Sequence, residues 1–193
     1  ISLSTWFRDY LYIPLGGSQG GTWMKVRNTF IIFLVSGFWH GANWTFIIWG
    51  FLNALYFLPL LLAKRNRTNL DVVAQDSKLP SIKELVQMGL TFGLTVIAWV
   101  FFRAESVTHA FTYLKGLFST SLLTLPTIRP TNLLVLILFF IVIEWIGRRQ
   151  HYAIEILLLK QSRGIRWAFY MIIIAMVFVF SNDNQQEFIY FQF

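Results

Sequence analysis

The sequence predicts an all-α, polytopic transmembrane protein, and three observations carry that prediction. Of 193 residues, 56% are hydrophobic and 13% charged, with a mean hydropathy of +0.58, whereas a soluble domain carries roughly 25% charged residues. The apolar residues gather into about five hydrophobic segments, one of them short or re-entrant, separated by loops that hold most of the Lys and Arg. A titratable imidazole, His40, sits inside the run 36–49 (SGFWHGANWTFIIW), which is too apolar to face water.

Taken in order, the block 6–17 (WFRDYLYIPLGG) is too polar for a plain span and too apolar for a free loop, so it is expected to be re-entrant or interfacial. Its glycines, Gly16 and Gly17, and the nearby Gly20 and Gly21 form either a flexible loop or a backbone cradle for phosphate. No Lys-Ser/Thr pair follows, so it is not a Walker loop. Residues 28–39 predict a short helix with a rise of about 18 Å. If it starts near the basic Lys25 and Arg27, it ends inside a hydrocarbon layer about 30 Å thick, leaving His40 at depth beside a break at Gly41. Irregular backbone is tolerated there only where protein or a water-filled cavity satisfies it, so a cavity is expected.

Residues 42–63 make a full-length span with a kink at Pro59, and 85–102 the next. In 104–118, Val107, Ala110, Phe111, Leu114, Leu117 and Phe118 recur at helical spacing against Glu105, Thr108, His109 and Lys115. That pattern predicts an interfacial amphipathic helix. Residues 132–147 and 165–181 are the last spans, with Pro126 and Pro130 marking the loop before them.

The net charge of +7 lies mainly in two loops. Residues 64–84 hold Lys64, Arg65, Arg67, Lys78 and Lys83, and 148–166 hold Arg148, Arg149, Lys160, Arg163 and Arg166. The positive-inside rule puts both loops in the cytoplasm and the carboxy terminus outside. The sequon-like Asn66-Arg67-Thr68 then lies in the cytoplasm and carries no weight. The basic residues form no aromatic-lined groove, so nucleic acid is not an expected partner. With no cysteine there is no disulfide, thiolate nucleophile or cysteine metal site. The opening ISLSTWFRDY is not a signal peptide, and because Ile1 already stands inside an aromatic motif, the chain is expected to be the carboxy-terminal piece of something longer.

A buried polar group without a partner costs several kcal/mol, so ionisable groups at membrane depth tend to line a pathway or a reaction site. His40 is therefore the first functional candidate; the alternative is a histidine satisfied between packed helices. His109, on the polar side of its helix, and His151, in a basic loop, have no metal-ligand spacing, and no metal is expected. Glu144 and Arg148, at i and i+4, predict an ion pair. Two function classes follow: an enzyme with His40 as base, or a transporter or channel with His40 as proton relay. A transporter needs several polar groups strung across the bilayer, and one deep titratable residue favours the enzyme.

The blocks WFRDYLYIPLGG, SGFWHGANWTFIIWG and WVFFRA (99–104), with the ending FIYFQF, resemble the membrane-bound O-acyltransferase family. Within it they resemble the bacterial alginate O-acetyltransferase branch, over nearly the whole chain, and they speak for a native ending rather than a protease-tag remnant. The resemblance implies a multi-pass enzyme of the cell inner membrane with a funnel reaching mid-bilayer. Such an enzyme moves acetyl groups from acetyl-coenzyme A in the cytoplasm toward hydroxyls of an extracytoplasmic polysaccharide such as alginate, through extracytoplasmic acetyl-transfer partner proteins. Peptidoglycan, cellulose or teichoic acid are alternative acceptors. The histidine of the family's FWHG block is catalytic, which here is His40, flanked by Trp39 and Asn43. Asn43 would orient the ring, donate to the developing oxyanion, or act as helix-helix glue.

Arg8 with its neighbour Asp9, Lys25 and Arg27 are placed to meet substrate or the donor's phosphates, although ordinary positive-inside charge explains the three basic residues too. Family members carry a second histidine immediately before ISLS. The 193 residues are thus expected to be the carboxy-terminal portion of one transmembrane domain, inactive alone.

Overall fold

The structure, a computed structural model, describes residues 2–65, 71–119, 130–154, 158, 159 and 161–180, and no strand occurs among them. They belong to two units, Ile1–Leu125 and Pro126–Phe193. The sequon-like Asn66-Arg67-Thr68, Pro126 and the 187–193 ending lie outside the described residues.

The first unit opens with α1 (Leu3–Phe7), capped by Ser2, whose Oγ accepts from the Thr5 N–H at 3.3 Å. It continues into a π-helical turn, Arg8–Tyr12. Next come α2 (Thr22–His40), α3 (Trp44–Leu62), α4 (Ile82–Arg103) and α5 (Val107–Leu117). Each start after α2 has a side-chain cap, because the first N–H groups of a helix have no partner within it. Asn43 Oδ1 accepts from Thr45 N at 3.1 Å and Ser106 Oγ from His109 N at 3.1 Å. Ser81 and Glu84 form a capping box, Ser81 Oγ accepting from Glu84 N while Glu84 Oε2 accepts from Ser81 N. Glu84 also receives the Ala74 N–H at 3.0 Å, which ties the loop before α4 down.

The closest packing in this unit is the α2–α3 hairpin. A Cβ at Gly37 would strike the Phe46 carbonyl oxygen, and one at Gly50 the Phe33 carbonyl oxygen, so the two backbones run against each other where only hydrogen fits. Between apolar helices in lipid, burial of oil in oil supplies no driving force, and such close approach of small residues supplies it instead. Ala54, one turn beyond Gly50, and Thr45 are also buried on α3, and Ala98 and Phe101 are buried on α4.

Helix α2 corrects one expectation. It has 19 residues rather than the twelve of 28–39, because Thr22–Arg27, with Thr22, Lys25 and Arg27 interrupting the apolar pattern, continue the helix at its start and His40 ends it. Apolar periodicity locates the lipid-matched part of a helix, not its hydrogen-bonded start. From Arg27 to His40 the axis still rises only about 20 Å, so the histidine keeps its depth relative to the basic residues. Pro59 falls in the last turn of α3, and the helix runs through it to Leu62.

The second unit contains α6 (Thr131–Gly147) and α7 (Arg163–Phe180). Only Gly147 is buried in α6, and no residue in α7. The expected Glu144–Arg148 ion pair is replaced: Arg148 lies 4.2 Å over the Trp145 ring and its Nη1 donates to the Trp145 carbonyl at 2.7 Å. Helices α3, α4 and α7 are long and apolar enough to cross a membrane, while α6 is apolar but shorter.

Candidate active site around His40

His40 is the last residue of α2, and the helix ends there because Gly41 takes φ 153° and ψ 159°. That region is open essentially to glycine alone. Gly41 is buried, with its N–H donating to Phe38 O at 3.1 Å. Chain reversal at this point puts the start of α3 beside the imidazole. The His40 ring lies near-perpendicular to Trp39 at 4.9 Å, Trp49 at 5.3 Å and Phe102 at 5.1 Å, with Phe46 at 6.4 Å. Phe102 also meets Phe46 at 5.1 Å and Trp49 at 5.2 Å. Three helices thus converge on one half-buried imidazole.

Trp39 lies at the rim, 51% exposed. Asn43 serves the framework: its Oδ1 caps α3, and its Nδ2 donates at 3.0 Å to the carbonyl of Glu105, 62 residues on. Of its sequence-level roles, gluing elements together is the one its hydrogen bonds match.

At the other end of α2, Asn28 is fully buried and fully engaged. Its Nδ2 donates to the carbonyls of Leu15 and Gly17, both at 3.2 Å, and its Oδ1 accepts from Arg27 Nε and Nη2. Arg27 Nη2 also donates to Leu15 O at 3.1 Å. The glycine-rich loop is therefore bolted to α2. It is no phosphate cradle at Gly16 and Gly17, whose N–H groups are spent on the Ile13 and Tyr12 carbonyls.

Arg8 donates through Nε to Asp9 at 2.7 Å, the only ion pair among the described residues, and this bond holds the Asp9 carboxyl below its ordinary range. Lys25 is half-buried on α2; its carbonyl accepts the Thr29 hydroxyl at 2.8 Å. Arg27 and Arg8 are thus brought to the same end of the hairpin but committed to protein partners.

Between the α1–π-turn segment and the α2–α3 hairpin lies a cavity of about 650 Å³, lined at its polar side by Arg8, Tyr12, Ser18 and Ser36. Helix α2 contributes Thr29, Ile32, Phe33 and Ser36. Those positions repeat at helical spacing, and His40, four residues beyond Ser36, continues the same face.

His109 lines a second cavity of about 410 Å³ between α4 and α5, with Trp99, Arg103 and Tyr113. His151 packs against Tyr152 at 4.5 Å. Among the described residues no group of three His, Cys, Asp or Glu could hold a metal ion.

The sequence profile of the membrane-bound O-acyltransferase family matches residues 1–74, which include Asn28, Ser36 and His40. A probable alginate O-acetylase AlgI of Pseudomonas aeruginosa is 38% identical over 157 residues, 79% of this chain and 28% of that protein. The chain belongs to the membrane-bound O-acyltransferase family. A probable alginate O-acetylase AlgI of Pseudomonas putida aligns with 100% of the chain at 32% identity, over 42% of its own length. A peptidoglycan O-acetyltransferase of Helicobacter pylori is 40% identical over 117 residues, 61% of the chain and 21% of that protein. The chain thus spans well under half the length of these membrane-bound O-acyltransferase relatives, and no solved structure matches it.

Sequence reasoning missed Asn28 and the ring partners Phe46, Trp49 and Phe102. Asn28 carried a signal, a carboxamide opening an apolar run; Phe102 carried only its place in WVFFRA.

Proposed function

We propose that the protein is a multi-pass inner-membrane O-acetyltransferase in which His40 is the general base. It moves acetyl groups from acetyl-coenzyme A on the cytoplasmic side toward hydroxyls of an extracytoplasmic polysaccharide, with extracytoplasmic partner proteins completing the transfer. One observation carries this reading. The cavity of about 650 Å³ is lined by Arg8 and by the α2 face Thr29–Ile32–Ser36, and its α2 wall ends one helical turn short of His40.

The chemistry fits such an arrangement. A sugar hydroxyl is a poor nucleophile near neutral pH; an imidazole within hydrogen-bond reach takes its proton as the oxygen attacks the thioester carbonyl. The coenzyme A thiolate then leaves and is protonated as the ester forms. Arg8 stands at the cavity's polar wall, where exchanging Asp9 for a phosphate oxygen would keep its charge paired.

Alginate-like polysaccharide is the favoured acceptor, since the relatives named for alginate cover the larger share of this chain. Peptidoglycan is the second reading, supported by the Helicobacter pylori relative at 40% identity.

Ser36→Trp in the whole protein tests the route. An indole at the inner end of the cavity is expected to abolish polysaccharide acetylation while the protein still inserts. Wild-type acetylation by Ser36→Trp would overturn the route.

A further inference from the structure

We propose that Phe102 is a positioning residue for the base: it holds the His40 imidazole in its working orientation, so that the WVFFRA turn ending α4 belongs to the active site. The inference rests on the reading of His40 as general base.

The His40 ring turns about two side-chain torsions, and the backbone ends of α2 fix neither. Four ring neighbours among the described residues restrain it. Trp39 is its own chain neighbour and exposed, and Phe46 and Trp49 belong to the same hairpin. Phe102 alone of the four comes from a different helix pair, and it alone touches each ring of the trio His40, Phe46 and Trp49, at 5.1, 5.1 and 5.2 Å. Near-perpendicular contacts of this kind are directional, because ring edges and faces carry opposite partial charge. They therefore set an angle as well as filling space.

The place of Phe102 is itself fixed from two sides. One residue earlier, the buried Phe101 packs edge-on against Phe111 of α5 at 5.4 Å. Three residues later, the Glu105 carbonyl accepts from Asn43, beside the His40–Gly41 break, at 3.0 Å. The register between α4 and the histidine loop is thus locked by a hydrogen bond close to the ring it must place. The α4 helix contributes no residue to the cavity assigned to the donor. Removing the Phe102 ring should therefore misplace the base without touching donor binding.

The test uses membranes from cells making the whole protein, with labelled acetyl-coenzyme A, and rates expressed per folded molecule. Misplacing a catalytic group by about 1 Å costs on the order of 10²-fold, so Phe102→Leu should lower kcat about 10- to 100-fold, with the donor KM within about twofold of wild type. Phe102→Trp or Phe102→Tyr, which keep a ring, should recover kcat to within about threefold. Phe92→Leu removes an exposed ring of the same helix that is not among the ring partners of His40, and should leave kcat per folded molecule unchanged.

Wild-type kcat in Phe102→Leu, an equal loss in Phe92→Leu, or a rise in KM alone would each overturn the proposal. His40→Ala runs alongside. If it retains activity, the base reading falls and this proposal with it; if it is inactive while Phe102→Leu is fully active, only the positioning role falls. Should Phe102→Leu fail to accumulate, Phe102→Met, similar in volume but without a ring, is judged by the same criteria.

Discussion

At its basic end α2 is held by hydrogen bonds, with the buried Asn28 receiving Arg27 and giving both its N–H groups to loop carbonyls. At its other end the helix is held by rings, Trp49 and Phe102 standing nearly perpendicular to His40. The difference separates framework from chemistry. A carboxamide with its donors and acceptors spent cannot take up a substrate proton, but it specifies one loop geometry. Neither the Trp49 indole nor the Phe102 phenyl ring titrates near neutral pH, so both can orient an imidazole and leave its acid-base chemistry to the reactants. Between the two ends, Gly37 lets the backbones of α2 and α3 come into contact.

Breaking that shared middle should have the largest effect. Gly37→Leu drives a side chain into the Phe46 carbonyl, and because overpacking alone costs about 1–3 kcal/mol where side chains can yield, backbone contact should leave little folded protein. The check is the amount of monodisperse protein extracted in mild detergent. Asn28→Leu breaks only the polar end. Each carbonyl left buried without a donor costs about 1–3 kcal/mol, so thermal unfolding in detergent should shift downward by several degrees while molecules that remain folded keep most of their transfer activity. The smallest effect is expected for His109→Ala and His151→Ala, neither of which is among the ring partners of His40, with acetylation within about twofold of wild type.

The long helices were legible in the sequence because an apolar run of about 20 residues has few other uses, and α3 and α4 differ from the expected ranges by no more than three residues at any end. The start of α2 was not, since Thr22, Lys25 and Arg27 form helix without contributing to an apolar stripe. His40 and Gly41 could be read locally: a titratable group and a helix breaker adjacent in an apolar segment. Asn43 was recognised, but its partner Glu105 is 62 residues away. Phe102 was one aromatic among 20 phenylalanines, distinguished only once three helices were placed. Glu144 and Arg148 had pairing distance by helical spacing, yet the Trp145 ring and carbonyl claim the guanidinium.

The central claim, that His40 supplies the base, is tested most directly by His40→Ala in the whole protein, reading ester-linked acetate on the polysaccharide together with the quantity of folded protein in the membrane. General-base catalysis contributes about 10²- to 10⁴-fold, so acetylation should fall to the detection limit with the protein level near normal. Retention of most acetylation, or a loss that only tracks missing folded protein, would contradict it and make His40 a structural residue.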